Sequence, residues 1–190
     1  AVLHGVTRSV RDSAALLDVM SGTALGDSYA APHHNGTFLE QVRRSPGKLR
    51  IAMVSTMRPT DHVDPECLQA LRQTAALCES LGHTVEEKTD EFNRQFSFQE
   101  LRQAHGLTVL VAIRRRVMTR LKELGRELRD DDLEPVTRYY HDYAEQYTAV
   151  ELENARNAFF RAARQMAHFQ SRYDVIMTPT LATSPIKHGE

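Results

Sequence analysis

Leu49-Arg50-Ile51-Ala52-Met53-Val54-Ser55 is a short apolar run entered from the turn Pro46-Gly47-Lys48, and its pairing with the next segment decides the fold class. Asp64-Pro65 supplies an N-cap and a first-turn proline. Leu68, Leu71, Ala75 and Cys78 then recur at helical spacing, so a helix beginning at Pro65 carries them on its inner face. Gly82 ends that helix, and Thr84-Val85-Glu86 reads as a second strand. A strand, a helix and a strand within residues 49–88 require parallel strands joined by a right-handed crossover. The fold class is therefore α/β.

Toward the C-terminus the pattern changes to helices, from about Phe96 to Arg172. Leu101, Thr108, Val109 and Ala112 form one stripe, and Leu152, Ala155, Phe159, Ala162, Met166 and Phe169 form a second, more regular one. Thr148 and Glu151 have the spacing of a capping box for the second helix. Tyr139, Tyr143 and Tyr147, four residues apart, predict a preceding helix packed beside it. Val175-Ile176-Met177 reads as a third short strand, halted by Pro179, with residues 173–190 forming a terminal strand and loop. Toward the N-terminus, Ser9 and Asp12 are placed to cap a helix reaching about Ser21, with Val10, Ala14, Leu17 and Met20 on one face and Gly22 as the stop. Thr23 to Pro46, rich in Gly, Pro, His and Ser, reads as a linker. No internal repeat is evident, and residues 1–190 read as a single partial domain.

Composition bounds the function classes. The 190 residues are 41% hydrophobic with a formal charge of -1, and 24 basic and 25 acidic side chains are interspersed. That balance argues against a nucleic-acid partner. Arg114, Arg115, Arg116, Arg120 and Lys122 cluster, but Glu123 and Glu127 come directly after, which is the pattern of a solvated helix face. Cys67 and Cys78 lie about three turns apart on one predicted helix, too far to bridge, so reduced thiols and a cytoplasmic location are expected. No apolar run is long enough to span a bilayer, and no membrane partner is expected.

Five blocks carry a family resemblance. Thr7-Arg8-Ser9-Val10-Arg11-Asp12-Ser13-Ala14-Ala15-Leu16-Leu17-Asp18 is followed by Gly26-Asp27-Ser28-Tyr29-Ala30-Ala31-Pro32, and Tyr173-Asp174-Val175-Ile176-Met177-Thr178-Pro179-Thr180-Leu181 lies at the other end. Pro46-Gly47-Lys48-Leu49-Arg50-Ile51-Ala52 and Leu81-Gly82-His83-Thr84-Val85-Glu86-Glu87 lie between them in matching order. Together they resemble the amidase signature family over nearly the whole chain. The run from Asp18 to Pro32 looks closest to the branch that includes 6-aminohexanoate-cyclic-dimer hydrolases. His4-Gly5-Val6 departs from the Gly-Pro that commonly precedes the first block.

The resemblance implies part of a mixed-sheet α/β fold with a large helical portion, no cofactor and a small-molecule amide substrate. A homo-oligomer is left open. It also implies a serine nucleophile, a second serine in a cis peptide, a lysine base, and a Gly-Gly-Ser-rich stretch whose freed N–H groups meet the developing oxyanion. This chain has no Gly-Gly pair. The expectation is therefore a C-terminal-side portion of an amide hydrolase, inactive alone, with no catalytic residue among these positions. Thr178, Pro179 and Thr180 are the expected substrate-binding residues, because the family's Thr-Pro-Thr element ends a strand close to the cleft. Phe92 to Arg129 matches no motif of the family and corresponds to its variable, selectivity-setting region. A reading from another class is a non-catalytic helical binding module.

Other chemistry is poorly supported. Ser45-Pro46-Gly47-Lys48 and Ser184-Pro185-Ile186-Lys187 are each formally Ser-x-x-Lys, but proline and glycine make turns there rather than the helix that would bring lysine to serine. His33-His34 is not a metal-binding spacing, and no His-Glu-x-x-His, Cys-x-x-Cys or phosphate loop is present. Asp130-Asp131-Asp132 with Glu134 is read as favouring a helix N-terminus rather than gathering a cation. No metal ligand is expected.

Overall fold

The structure, a computed structural model, describes residues 4–29, 34–58, 62–187 and 189. The chain divides into two compact units, Ala1–Gly47 and Lys48–Glu190.

In the first unit, helix α1 spans Val10–Met20. Ser9 is its N-cap, its hydroxyl accepting the Asp12 N–H at 3.0 Å. Of the expected apolar face, Ala14 is buried, while Val10 and Met20 remain 72% and 50% exposed. The linker expected over Thr23–Pro46 is not all loop. Phe38–Gln41 form a short helix, α2, closed by a capping box in which Thr37 Oγ1 accepts the Glu40 N–H and Glu40 accepts the Thr37 N–H. The Asp18 carboxylate takes the N–H groups of Phe38 and Leu39 at 2.6 and 3.0 Å, so a side chain from α1 satisfies donors that a helix start otherwise leaves unpaired. Ala30-Ala31-Pro32, the end of the second family block, and His33 lie outside the described residues. His34 bonds the Gly36 carbonyl through Nδ1 and packs edge-on against Phe38.

In the second unit, β1 (Arg50–Met53) is the middle strand of a three-stranded parallel sheet, flanked by β2 (Thr84–Glu87) and β3 (Val175–Met177). Ile51 sits opposite Val85 on one side and Val175 on the other. The predicted strand–helix–strand unit is present, with α3 (Pro65–Ser80) as its crossover. Ile51 and Ala52 are buried, as expected of a middle strand covered on both faces. Gly82, at a φ of +92°, turns the chain out of α3, and the His83 N–H reaches back to the Cys78 carbonyl. The third strand is registered by Asp174, whose carboxylate accepts the Arg50 N–H at 2.7 Å while its own N–H donates to the Arg50 carbonyl.

The helical region begins earlier than the sequence pattern indicates, with α4 at Thr89–Gln95. It continues through α5 (Phe98–Leu124), α6 (Pro135–Tyr143), a 3-10 turn at Ala144–Gln146 and α7 (Ala149–Gln170). The capping box expected for α7 forms, Thr148 Oγ1 accepting the Glu151 N–H and Glu151 accepting the Thr148 N–H. The stripe expected on α5 is not the one that packs. Ala104 is buried and clusters with Leu107 against Ala155 and Ala158 of α7, whereas Val109 is 39% exposed. Alanines let the two backbones approach closely, and the larger residues are displaced to the sides of the contact. α6 packs on α5 rather than beside α7. Arg114 of α5 donates to the His141 carbonyl and pairs with Glu145 at 3.2 Å. Tyr139 and Tyr143 stack along α6, partly in solvent, and Tyr147 meets Tyr143 edge-on after the turn.

The main core joins helices to sheet. Ala52 and Val54 of the middle strand region meet Phe92 and Phe96 from α4 and its end, and Phe169 and Tyr173 from the end of α7. Phe169 stands edge-on to Phe92 at 5.3 Å.

Candidate active-site wall

β3 runs into Thr178-Pro179-Thr180 at the same end of the sheet where β1 runs into Val54-Ser55-Thr56. In a parallel sheet this carboxyl end is where ligands characteristically bind, because the chain there leaves the sheet in loops with free polar groups. The ladder persists to that point, the Val54 N–H donating to the Met177 carbonyl at 2.9 Å.

Two crevices share the Thr178-Pro179-Thr180 wall. One, of about 420 Å³, lies against α3 and is lined by Cys67, Ala70, Leu71 and Thr74. The other, of about 250 Å³, is lined by Val54, Ser55, Thr56, Met57, Val63 and Ala182. Thr178 and Pro179 are half-buried and Thr180 is exposed, so the turn separates the two spaces and borders both.

Asp64 fixes the loop beyond this turn. It is the N-cap residue of α3 by position but makes no side-chain cap to that helix. Its carboxylate instead accepts the Ser184 N–H at 3.1 Å and contacts His62 Nε2, and its own N–H donates to the Ala182 carbonyl at 2.8 Å. The start of α3 is thereby tied to the segment following Thr180. The Asp-Pro pair was legible as a helix start, but not this diversion, which depends on a segment 120 positions away.

At the end of the adjacent strand, Ser55 belongs to a hydroxyl network that sequence reasoning missed. The Ser55 N–H donates to Thr89 Oγ1 at 2.7 Å, the two hydroxyl oxygens lie 2.9 Å apart, and Thr89 Oγ1 donates to Glu87 through a short hydrogen bond. The Thr89 N–H also reaches Glu87, at 3.2 Å. No periodicity signals this, since the partners sit at the ends of adjacent strands.

The other residues weighed for chemistry are occupied elsewhere. Ser45 accepts the Gly47 N–H, and Gly47 has a φ of +73°, so that segment is a turn as expected. Ser184 to Lys187 are irregular chain, with no helix bringing the lysine to the serine. Asp132 does not serve the start of α6. It grips the Arg126 guanidinium through both oxygens at 2.6 and 2.7 Å and accepts the Arg129 N–H at 2.8 Å. Those contacts, the arginine first, hold its carboxyl well below the usual carboxylate range. Lys88 lies between Glu86 and Glu91, and its bond to Glu86 raises its pKa while lowering that of the glutamate. Cys67 and Cys78 are both unpaired. Among the described residues, no group of three or more His, Cys, Asp or Glu is placed to hold a metal ion, and no helix is long and apolar enough to cross a membrane.

Comparison with known proteins agrees with the blocks at both ends of the sequence. The chain is 32% identical over 189 residues to the 6-aminohexanoate-cyclic-dimer hydrolase of Pseudomonas sp. (strain NK87), and 31% identical over 188 residues to that of Paenarthrobacter ureafaciens. Each match covers 96% of this chain and 37% of the relative, so the chain spans little more than a third of their length. A solved structure of 6-aminohexanoate cyclic dimer hydrolase complexed with substrate superposes with a TM-score of 0.84 at 28% identity, over 96% of this chain and 38% of that one. A bacterial aryl acylamidase of the amidase signature family superposes at 0.80 with 19% identity over 97% of this chain and 37% of its own, which shows a shared fold. The family model for amidases matches residues 4–190, and the chain belongs to the amidase family.

Proposed function

We propose that this chain is the scaffold and one cleft wall of a serine-dependent amidase that hydrolyses the C–N bond of small carboxylic amides, linear or cyclic. The observation that supports it best is the position of Thr178-Pro179-Thr180, a rigid turn bearing two hydroxyls at the carboxyl end of the strand beside β1. A proline there fixes the backbone, and each threonine hydroxyl can both donate to a carbonyl and accept from an N–H. The relatives named for cyclic-dimer hydrolysis favour an amide substrate with an aliphatic backbone. In this reading residues 1–190 are one partial domain of the enzyme, working in the cytoplasm, where thiols such as Cys67 and Cys78 stay reduced.

The groups that break the bond are not among these residues. Acyl transfer needs a nucleophile next to a base and paired N–H donors for the oxyanion, and here neither serine–lysine pair shares a helix and no Gly-Gly occurs. The 190-residue chain alone is therefore expected to release no ammonia or amine from simple amides above background, and turnover by it would overturn the assignment of roles. In the enzyme that carries these residues together with its serine and lysine, Thr178→Val and Thr180→Val are expected to change kcat or KM. Unchanged values of both would remove the turn from the cleft wall.

A further inference from the structure

The network at the end of β1 has a direction that donor and acceptor counting determines. A threonine hydroxyl has one proton and two lone pairs, and an ionised carboxylate only accepts. Thr89 Oγ1 spends its proton on Glu87. Its lone pairs are then left for the Ser55 N–H at 2.7 Å and the Ser55 hydroxyl at 2.9 Å, so in that second contact Ser55 must be the donor. The Ser55 proton is committed to Thr89, and Ser55 Oγ keeps two lone pairs and no proton to offer elsewhere. Ser55 lines the 250 Å³ crevice together with Thr178 and Thr180.

We propose that Ser55 is a substrate-binding residue that selects for an N–H: a fixed hydrogen-bond acceptor that reads the amide nitrogen of the substrate and disfavours the ester oxygen in the same place. This rests on the reading of the crevice as part of an amide-binding cleft. An amide presents a donor at that atom, whereas an ester presents lone pairs to lone pairs. The Thr178 and Thr180 hydroxyls can turn either way and Thr56 spends its proton on the Arg58 carbonyl at 2.8 Å, whereas the polarity of Ser55 is set by residues that do not line the crevice. Glu87 is what sets it. Removing its carboxylate by Glu87→Ala frees the Thr89 proton to point at Ser55 and the Ser55 proton to point into the crevice.

The test uses the isotope-labelled 190-residue chain titrated with N-methylhexanamide and with methyl hexanoate, which differ at this position by N–H against oxygen. Backbone NMR shifts at Ser55, Thr178 and Thr180 report occupancy of the crevice, and the ratio of the two dissociation constants reports the selection. One neutral hydrogen bond corresponds to a preference for the amide of roughly three- to tenfold. Ser55→Ala is expected to bring the ratio close to one, and Glu87→Ala, at an exposed position with little effect on folding, to narrow it. Shifts at the crevice with equal affinities in the unaltered chain, or a preference that survives both substitutions, overturn the role of Ser55 while leaving the cleft in place. No shift at the crevice with either compound overturns the cleft reading and this inference with it. Should Ser55→Ala disturb the spectrum throughout, the Glu87→Ala ratio decides.

Discussion

Phe169→Ala is expected to be among the most damaging single truncations in the second unit. The ring is fully buried, 5.3 Å from Phe92 and 5.4 Å from Tyr173, and shares a cluster with Ala52 and Val54 on the middle strand region. Strand backbone cannot move to fill the space, so the change combines lost transfer energy with a retained cavity, about 3–5 kcal/mol for a buried phenylalanine. Phe159→Ala on the same helix is the matched control. That ring is 36% exposed, so its removal is expected to cost about 1 kcal/mol. For a chain of this size the difference corresponds to a fall in Tm of roughly 10 °C for the first variant and a few degrees for the second. Urea and thermal unfolding followed by far-ultraviolet circular dichroism measure both. The consequence reaches the crevice lined by Thr178, because Phe169 and Tyr173 hold the end of α7 against the sheet just before β3 leads into that residue. If Phe169→Ala were no more destabilising than Phe159→Ala, the assignment of the core to this aromatic cluster would be wrong.

Two further outcomes are expected. Asp132 has a lowered folded-state pKa, so its stabilising contribution is fully present above about pH 4, the ordinary aspartate value, and is lost as pH falls through the lowered value set by Arg126 and Arg129. Asp132→Asn should therefore loosen residues 126–132 already at neutral pH, read as faster amide exchange at Arg129. Exchange unchanged from the unaltered chain would refute the clamp. Asp64→Ala should raise exchange at the Ser184 amide by roughly tenfold with little loss of helix, since Asp64 caps the loop rather than α3. A loss of α3 helicity with Ser184 unaffected would show the opposite assignment.

Local rules were enough for the strand–helix–strand unit, the third strand and the caps at Ser9 and Thr148. Each depends on hydrogen bonds or side-chain repeats within a few positions, so the signal lies in adjacent residues. The Thr37–Glu40 box was equally local, but it stood in a Gly-, Pro-, His- and Ser-rich stretch that reads as loop. Phe92 and Phe96 were passed over for a related reason: one aromatic residue in a polar seven-residue helix and one just beyond its end make too short a stripe to reveal that they form the core.

What the linear order determined about this protein is its alternation of strands and helices, its family blocks and the lack of any Gly-Gly pair among these 190 residues, since all of these are written in neighbouring residues. The tertiary structure alone decided which face of α5 is buried, that α6 lies on α5, that Asp64 serves a distant loop, and that Thr89 and Glu87 orient Ser55. Those outcomes depend on which surfaces and polar groups meet once separate segments are brought together, and a hydrogen bond between strand ends leaves no periodic trace in the chain that makes it.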